Sequence, residues 1–426
     1  MAQSVYVPLA ARRRPKGTAI NWAGRIFFIL LGLLVVYVLA KSMLANPSVF
    51  ATQLVNGLQL GFVYALIALG YTMVYGIVKL INFAHGDVFM VGAYVSYYSV
   101  AGFGLHLWPK WVFPGIPEDW SVGLGILTVI VVSMLTCALL AVVIERFAYK
   151  PLRDAPRIAA LITAIGVSFF LEYFGALPFV FTNNFITYER PFEVVPLAAG
   201  SISPLLLALV WLAFLAAAAT SLVLGWLSRR GNVRAADLHA NALVTALLRL
   251  GMLGGGFWGA VLILAAWGIV VRNIMVIIML ASIFMLTLLQ YIVRQSKIGK
   301  AMRATSFDKP TARLMGINVD AVISVTFAIG AAFAGMGGML YAISFPQLQV
   351  FMGVIPGLKA FVAAVLGGIG SIPGAFVGAL IMGQAEVISA AYVSTPMRDV
   401  VAFTILIIVL LGRPTGIFGE PEREKA

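Results

Sequence analysis

A dozen windows of about 17–25 largely apolar residues recur along this chain, and they limit what it can fold into. Each window has the length of an α-helix that crosses a lipid bilayer. Only 11% of the residues are charged and 62% are apolar, which a soluble protein of 426 residues would not tolerate. The sequence therefore predicts an all-α, polytopic integral membrane protein with about 12 transmembrane helices. The windows lie near 26–44, 54–78, 86–104, 121–144, 158–181, 202–226, 252–271, 274–293, 320–344, 356–372, 374–393 and 397–412.

The basic residues predict the orientation of these spans. If each window crosses the membrane once, 23 of the 29 Lys and Arg residues fall on one side. Because cytoplasmic loops collect Lys and Arg, both termini and the loops 145–157, 228–249 and 294–313 are predicted to be cytoplasmic. The net charge of +13 comes from loops that face anionic membrane lipid, so it does not indicate a nucleic-acid partner.

The first window also fits a cleaved signal peptide, with the basic segment 11–16 before it and Ala45 as the cleavage site. The apolar run is long for a signal peptide, however, and Met43 is a poor residue two places before the cut. We therefore expect an uncleaved first helix.

Sequence motifs for catalysis are missing. The three histidines are scattered, and neither a zinc-protease motif nor a nucleotide-binding P-loop occurs. The single cysteine, Cys137, lies inside an apolar window, which excludes an intramolecular disulfide and a cysteine-based metal site. We expect a chain that is not an enzyme, has no cofactor or metal and cannot itself hydrolyse ATP.

Two polar or glycine-rich interruptions are candidates for a translocation path or gate. Polar side chains between apolar spans must be hydrated or paired, and a glycine run weakens a continuous helix. The interruption around Asn82, His85 and Asp87 is alternatively a cytoplasmic turn in which Asp87 caps the next helix. The glycine run around Gly367–Gly370 is alternatively a tight turn between two spans. The candidate residues are Asn82, His85, Asp87, Gly367, Gly368, Gly370 and Pro373.

A polar segment, 294–320, contains the start and stop signals of a short helix. Asp308 has an acceptor side chain suited to the N-cap, and Pro310 suits the first turn. Gly316 can adopt the left-handed conformation that ends a helix. On local sequence alone, this segment is a capped connector on the water side.

Five segments, 56–95, 144–172, 316–340, 359–383 and 399–419, resemble the LivH-type permeases of branched-chain amino-acid ABC importers. The motifs "INFAHG", "ERFAYKPLR" and "AVLGGIGSIPGA" carry this resemblance. It implies a permease subunit of an ATP-driven importer in the bacterial inner membrane, forming half of the translocation path. The partners implied are a second, LivM-like permease, two ABC ATPase subunits and a periplasmic substrate-binding protein.

The resemblance also implies a role for the loop 294–318, as a coupling helix that docks into the ATPase. The family's glutamate-alanine-alanine signature is altered here, because Lys309, Pro310 and Thr311 depart from it. The residues expected to couple are Arg303, Asp308, Pro310, Ala312, Leu314 and Gly316.

Compared with the family, the chain is expected to carry additions. The expected organisation is a basic N-terminus with an extra helix (1–50), a first part of the core (51–185), an atypical insertion with two helices (186–272), a second part of the core (273–412) and a cytoplasmic tail (413–426). Two alternatives stay open: a permease for urea or short-chain amides, and a stand-alone ion-coupled secondary transporter. Deep acidic residues are few for the latter, Glu172 and Glu386 being the main ones.

Overall fold

A computed structural model describes residues 37–153, 155–196, 269–412 and 415–419, with a few isolated helical positions between 215 and 223. The chain divides into two compact units, Met1–Ala51 and Thr52–Ala426. The described part of the first unit, 37–51, is helical apart from Asn46. Most of the predicted windows 26–44, 202–226 and 252–271, and the whole of the loop 228–249, lie outside the described residues.

Most of the described chain is helical and strands are almost absent from it, which confirms the predicted all-α membrane protein. Within the described residues, six helices are long and apolar enough to cross a membrane, or seven if one bent pair counts as a span. The predicted count of about 12 is not confirmed. The helices are α1 (Pro47–Val78), α2 (His85–Tyr97), α3 (Trp108–Val112), α4 (Glu118–Ile144), α5 (Arg157–Gly175), α6 (Asn273–Gln295), α7 (Lys297–Phe307), α8 (Lys309–Leu314), α9 (Val319–Ser344), α10 (Val354–Gly367), α11 (Ile372–Tyr392) and α12 (Met397–Gly412).

Short turns of other helix types extend two of these elements. A π-helical turn, Tyr98–Gly102, continues α2, and the chain bends by 65° before it continues into α3. A second π-helical turn, Glu145–Tyr149, and a 3₁₀ turn, Lys150–Leu152, continue α4. The charged sequence after Ile144 is therefore still helical, and it projects from the end of α4.

Glycines let α9 pack closely in the middle of the bundle. An ideal Cβ on Gly335 would lie 2.9 Å from the Cys137 Sγ of α4, and one on Gly92 of α2 would lie 2.5 Å from the Gly335 Cα. The Ser133 hydroxyl donates to the carbonyl oxygens of Gly92 and Gly335, at 2.7 and 3.2 Å. Cys137 is fully buried at this crossing, as expected for a small core residue. Small residues allow backbones to approach in this way where lipid provides no hydrophobic driving force.

A strand pair joins the loops at the other end of α9. Strand β1 (Ile186–Thr187) pairs antiparallel with β2 (Gln347–Leu348), with Ile186 opposite Leu348. An isolated bridge joins Pro196 to Arg272, just before α6 begins. These contacts hold the segment after α5 against the segments that follow α9 and precede α6.

Two helices begin inside the bundle and not at its end. A side chain on Gly70 of α1 would collide with the His85 imidazole, so α2 starts level with Gly70. At 1.5 Å per residue, Gly70 lies about 12 Å before Val78, the last residue of α1. An ideal Cβ on Gly86 would lie 2.5 Å from the Gly353 carbonyl oxygen, so α10 starts at the same depth. Both helix starts therefore meet within the bundle.

Candidate functional site

The polar segment after α6 forms two capped helices. The Ser296 hydroxyl accepts from the Gly299 N–H at 2.9 Å and caps α7. The Asp308 carboxylate accepts from the Thr311 N–H at 3.3 Å and caps α8. At the other end of α8, Gly316 has a φ of +82°, and the Ile317 N–H donates to the Ala312 carbonyl at 3.0 Å. The helix start at Asp308, the position of Pro310 in the first turn and the left-handed glycine at 316 are as the sequence predicts.

Helix α8 presents apolar side chains to its surroundings. Ala312 is buried against the bundle, whereas Leu314 is 87% exposed and Met315 is 78% exposed. Phe307, at the end of α7, is 79% exposed. These side chains belong to a segment that also carries Lys309 and Arg313, and such basic segments are typical of the water-facing side of a membrane protein. Exposed apolar side chains on a water-facing helix are typical of an interaction surface.

An ionic cluster connects α8 to two long helices. Asp320, at the start of α9, forms ion pairs with Lys150 at 3.0 Å and with Arg313 of α8 at 3.6 Å, and it also pairs with Arg153. Arg153 pairs in turn with Glu145, a buried residue at the end of α4. Asp320 and Arg153 therefore link α8 to the ends of both α4 and α9.

A cavity of about 630 Å³ lies beside this cluster. Its lining includes Lys79 from the loop after α1, Arg153 from the segment after α4, and Lys309 from α8. The Lys309 ammonium donates to the Val78 carbonyl at 3.3 Å. Partial burial, together with the Arg153 and Arg313 charges, lowers the pKa of Lys309. The loops after α1 and α4 therefore share one end of the bundle with α8.

The polar residues after α1 do not form a surface turn. Asn82 accepts a hydrogen bond from the Tyr149 hydroxyl at 2.6 Å, and both side chains are buried. His85 packs edge-on against Tyr71, with ring centroids 4.6 Å apart. The interpretation of Asp87 as a helix cap is wrong, because α2 begins at His85 and its N-cap, Ala84, makes no side-chain bond.

Asp87 instead faces a pocket between α2, α5 and α10. Its carboxylate accepts a hydrogen bond from the Ser168 hydroxyl of α5, and the Glu172 carboxyl group lies against it. The pocket has a volume of about 200 Å³. Sequence reasoning identified Glu172 as a deep acidic residue but did not pair it with Asp87, because 85 residues separate them in the chain.

The glycine run forms a tight turn between α10 and α11. Gly368 and Gly370 have φ angles of +108° and +95°, which only glycine adopts readily. The Ser371 hydroxyl accepts from the Gly374 N–H at 3.3 Å and caps α11. The run is therefore a tight turn between two helices, and its place on a translocation path stays a prediction. Gly370 and Pro373 also line a cavity of about 880 Å³ that includes Lys79, Arg294 and Arg303.

The tail after α12 packs on this turn. The N–H groups of Ile417 and Phe418 donate to the carbonyl oxygens of Leu366 and Gly367, both at 2.9 Å. An ideal Cβ on Gly368 would lie 2.5 Å from the Gly419 nitrogen. The glycines after α10 therefore serve to admit the backbone of the tail.

A second buried charge cluster was not predicted. Lys359 of α10 lies 2.9 Å from Glu386 of α11 and 2.6 Å from Asp399 of α12. Arg398 lies 3.3 Å from Glu386, and the Tyr64 hydroxyl donates to Glu386 at 2.8 Å. Within the described residues, no group of three or more His, Cys, Asp or Glu side chains is placed to hold a metal ion.

Comparison with known proteins assigns the chain to a family. Residues 53–410 match the family described as branched-chain amino acid transport system / permease component. The high-affinity branched-chain amino acid transport system permease protein LivH of Salmonella typhimurium is 37% identical over 377 residues, covering 88% of this chain and 97% of that protein. The corresponding protein BraD of Pseudomonas aeruginosa is 34% identical over 379 residues, covering 88% and 98%.

A more distant relative is named for a different solute. The autoinducer 2 import system permease protein LsrC of Escherichia coli is 26% identical over 137 residues, covering 30% of this chain and 40% of that protein. No solved structure matches the chain. The described residues form a bundle of apolar helices, so the chain is an integral membrane protein. Since the family match spans most of the sequence, the chain belongs to the permease components of branched-chain amino acid transport systems, which are transport subunits and not enzymes.

Proposed function

We propose that this chain is one of two permease subunits in an ATP-driven importer of branched-chain amino acids. It forms half of the translocation path, and a second, LivM-like permease forms the other half. Two ATPase subunits bind on the cytoplasmic side, and a periplasmic binding protein delivers the amino acid. The observation that carries the proposal is the capped helix α8, with Leu314 and Met315 exposed at the basic end of the bundle.

The exposed residues of α8 have the character of a docking anchor. A protein interface concentrates its binding energy in a few apolar or aromatic side chains that insert into a pocket of the partner. Leu314 and Met315 meet this description, and the caps at Asp308 and Gly316 fix the direction in which they project. We propose that they enter a cleft of the ATPase subunit.

The ionic cluster provides the path by which ATPase movement reaches the membrane. Arg313 moves with α8, and its partner Asp320 is the second residue of α9. Arg153 joins Asp320 to Glu145 and thus to α4. Because α9 packs closely on α2 and α4, a shift at Asp320 changes the packing of all three helices.

The location of the protein follows from the charge distribution. We propose that it lies in the bacterial inner membrane with both termini cytoplasmic, since 23 of 29 Lys and Arg residues then face the cytoplasm. The shared cavities beside Lys79, Arg153 and Arg294 support this, because they place three predicted cytoplasmic loops at one end. The extra N-terminal helix and the 186–272 insertion are proposed to be accessory elements outside the permease core.

The proposed solute is a branched-chain amino acid, since the two relatives that match over most of the chain are named for that transport. The experiment is uptake of labelled leucine by proteoliposomes that contain the permease pair, the ATPases and the binding protein. Uptake should require internal ATP and all components, and unlabelled isoleucine or valine should compete.

Two other results would replace the proposal. Competition by urea or a short-chain amide, without competition by isoleucine, would assign the chain to amide import. Uptake by this chain alone, driven by an ion gradient and unaffected by ATP, would make it a secondary transporter.

A Leu314→Asp variant should assemble in the membrane but lose the ATPase subunits, whereas Leu135→Asn, an exposed position within α4, should retain them.

A further inference from the structure

Two acidic side chains meet deep in the bundle without a cationic partner among the described residues. Asp87 is 1% exposed and Glu172 is 5% exposed, and their carboxyl groups lie against each other. The ion pairs found among the described residues include neither of them. A buried carboxylate without a compensating charge is costly, so the pair either shares a proton across the hydrogen bond between Asp87 and Glu172 or binds a positive partner that replaces this proton.

One oxygen of Asp87 is available to such a partner. The Oδ2 atom accepts the hydrogen bond from Ser168, whereas Oδ1 is buried and has no hydrogen-bond partner. Asp87 and Glu172 both line the pocket between α2, α5 and α10. The unsatisfied oxygen is thus a preformed acceptor at a cavity, and the Glu172 carboxyl group is a second acceptor beside it.

The pocket is small and its other walls are mainly apolar. Its 200 Å³ would hold roughly six waters at about 30 Å³ each, which suits a small solute and not a drug-sized ligand. The apolar walls come from three helices and the loop before α2. They are formed by Tyr71, Phe83, Ile165, Phe169, Val354 and Leu358.

Helix α10 starts at the same pocket. Gly353 and Val354 line it, and the N-cap, Gly353, offers no side-chain acceptor to the first turn of the helix. The start of a helix carries a partial positive charge, which suits a carboxylate. In the first turn of α10 only the Ile355 N–H is left as a donor, because the Val354 N–H donates to the Phe351 carbonyl and Pro356 has no N–H. Transport proteins place helices that begin or break within the membrane at the point where the solute passes. Acceptors for a cation and a helix start for an anion therefore face one cavity.

We propose that this pocket binds the amino acid during its passage, with the ammonium group on Asp87 and Glu172. The branched side chain lies against Phe83, Ile165 and Leu358, and the start of α10 receives the carboxylate. The assignment of the solute rests on the proposed function. The assignment of an alkylammonium group to the two carboxylates rests on the pocket alone.

The binding of an ammonium group is tested on the purified wild-type permease, without transport. A hydrophobic carbodiimide attaches to buried carboxyl groups, and mass spectrometry of the peptides quantifies the adduct on Asp87 and Glu172. Isoamylamine, which has the side chain and amino group of leucine, should reduce the total modification of the two carboxyl groups several-fold. This total counts the carbodiimide adduct together with the isoamylamide that forms, with release of the urea, when a free amine captures the activated carboxyl group. Isoamyl alcohol and isocaproate, which lack the amino group, should leave it unchanged. Equal labelling with and without the amine would overturn the proposal.

The role in transport is tested with the complete importer in proteoliposomes. Asp87→Asn and Glu172→Gln should each raise the KM for leucine about tenfold or more, because a charge-assisted hydrogen bond is lost. ATP hydrolysis stimulated by the loaded binding protein should persist, since α8 is untouched. The control is Glu118→Gln, whose side chain is 77% exposed and paired with Lys110. An unchanged KM in both pocket variants would overturn the proposal.

The two tests separate this inference from the proposed function. If the wild-type importer shows no ATP-driven leucine uptake but the amine protects Glu172, the proposed function fails and the ammonium site stands. If leucine uptake is ATP-driven, but the pocket variants leave the KM unchanged and the amine leaves the labelling unchanged, the ammonium site is wrong and the proposed function stands.

Discussion

Lys359 and Glu386 form an ion pair inside the helix bundle: the ammonium nitrogen lies 2.9 Å from the carboxylate, and each side chain is 3% exposed. Asp399 and Arg398 of α12 complete the charge balance at 2.6 and 3.3 Å. The cluster joins α10, α11 and α12, and Tyr64 connects it to α1. Removing one member of such a pair leaves an uncompensated buried charge.

Lys359→Met should therefore lower the stability of the permease strongly, by about 3–5 kcal/mol. The measurement is the apparent unfolding temperature in detergent, followed by thiol-reactive dye binding to Cys137, which is buried in the folded protein. The control is Lys110→Met, which breaks a solvent-exposed pair with Glu118 and should change the temperature little. Equal shifts of the unfolding temperature in the two variants would show that burial of the Lys359–Glu386 pair does not increase its contribution to stability.

Gly316→Val should uncouple the ATPase without unfolding the permease. The φ of +82° is disfavoured for a β-branched residue, at a cost of about 1–2 kcal/mol. An added Cβ would meet no atom within 4 Å, so the change acts on the direction of the chain and not on packing. Co-purification of the ATPase with the solubilised permease, and ATP hydrolysis stimulated by the binding protein, should both fall.

The matched control for this change is Gly115→Val, because Gly115 also has open space around its Cβ position but no positive φ. Asp308→Ala, which removes the cap of α8, should act in the same direction as Gly316→Val but more weakly, by about 1 kcal/mol of helix stability. If Gly316→Val retains ATPase co-purification and stimulated ATP hydrolysis at wild-type levels, the segment that contains α8 is only a connector.

Gly368→Ala should destabilise the permease more than Gly370→Ala does. Both glycines have positive φ, so both variants carry backbone strain. An added Cβ at Gly368 would meet the Gly419 nitrogen at 2.5 Å, whereas one at Gly370 meets only the Gly76 Cα at 3.8 Å. The difference in unfolding temperature thus reports the contact with the tail. Equal losses in the two variants would mean that strain, and not tail docking, selects glycine here.

The orientation is tested with cysteine reporters in a Cys137→Ala background. An impermeant thiol reagent added outside intact cells should label Gly115→Cys, in the loop between α3 and α4. It should not label Lys309→Cys in α8 until the membrane is opened. The expectation rests on the excess of Lys and Arg in the loops on the α8 side. The reverse labelling pattern would invert the orientation.

Local signals in the sequence predicted the helices well. The caps of α8 at Asp308 and Gly316 were predicted because capping depends on a few neighbouring residues. The ends of α4, α6 and α9 lie within about three residues of the predicted windows, since apolar length fixes them. The turn at the glycine run could not be separated from an interrupted helix, because both need glycine.

The depth of the polar residues in the bundle and the pairing of buried charges could not be predicted from one sequence. The cluster near Asp87 was placed at the membrane boundary because it follows α1, and no local pattern shows that the chain folds back beside Gly70. The pairs of Asp87 with Glu172 and of Lys359 with Glu386 join residues far apart in the chain. Such contacts follow from helix packing, which a single sequence does not encode in any short segment.

The early start of α10 has a consequence for biosynthesis. With 14 residues it spans about 21 Å, which is too short for the insertion machinery to place it across the bilayer as an independent segment. The chain before Val354 also leaves polar backbone groups at membrane depth, and lipid cannot satisfy them. Helix α10 therefore depends on the packed helices around it for its place in the membrane, and the tail fastens its last turn, because Ile417 and Phe418 donate to the carbonyl oxygens of Leu366 and Gly367. A chain cut short before Ile417 would lack these two hydrogen bonds, so such a truncation should lower the yield of correctly inserted permease.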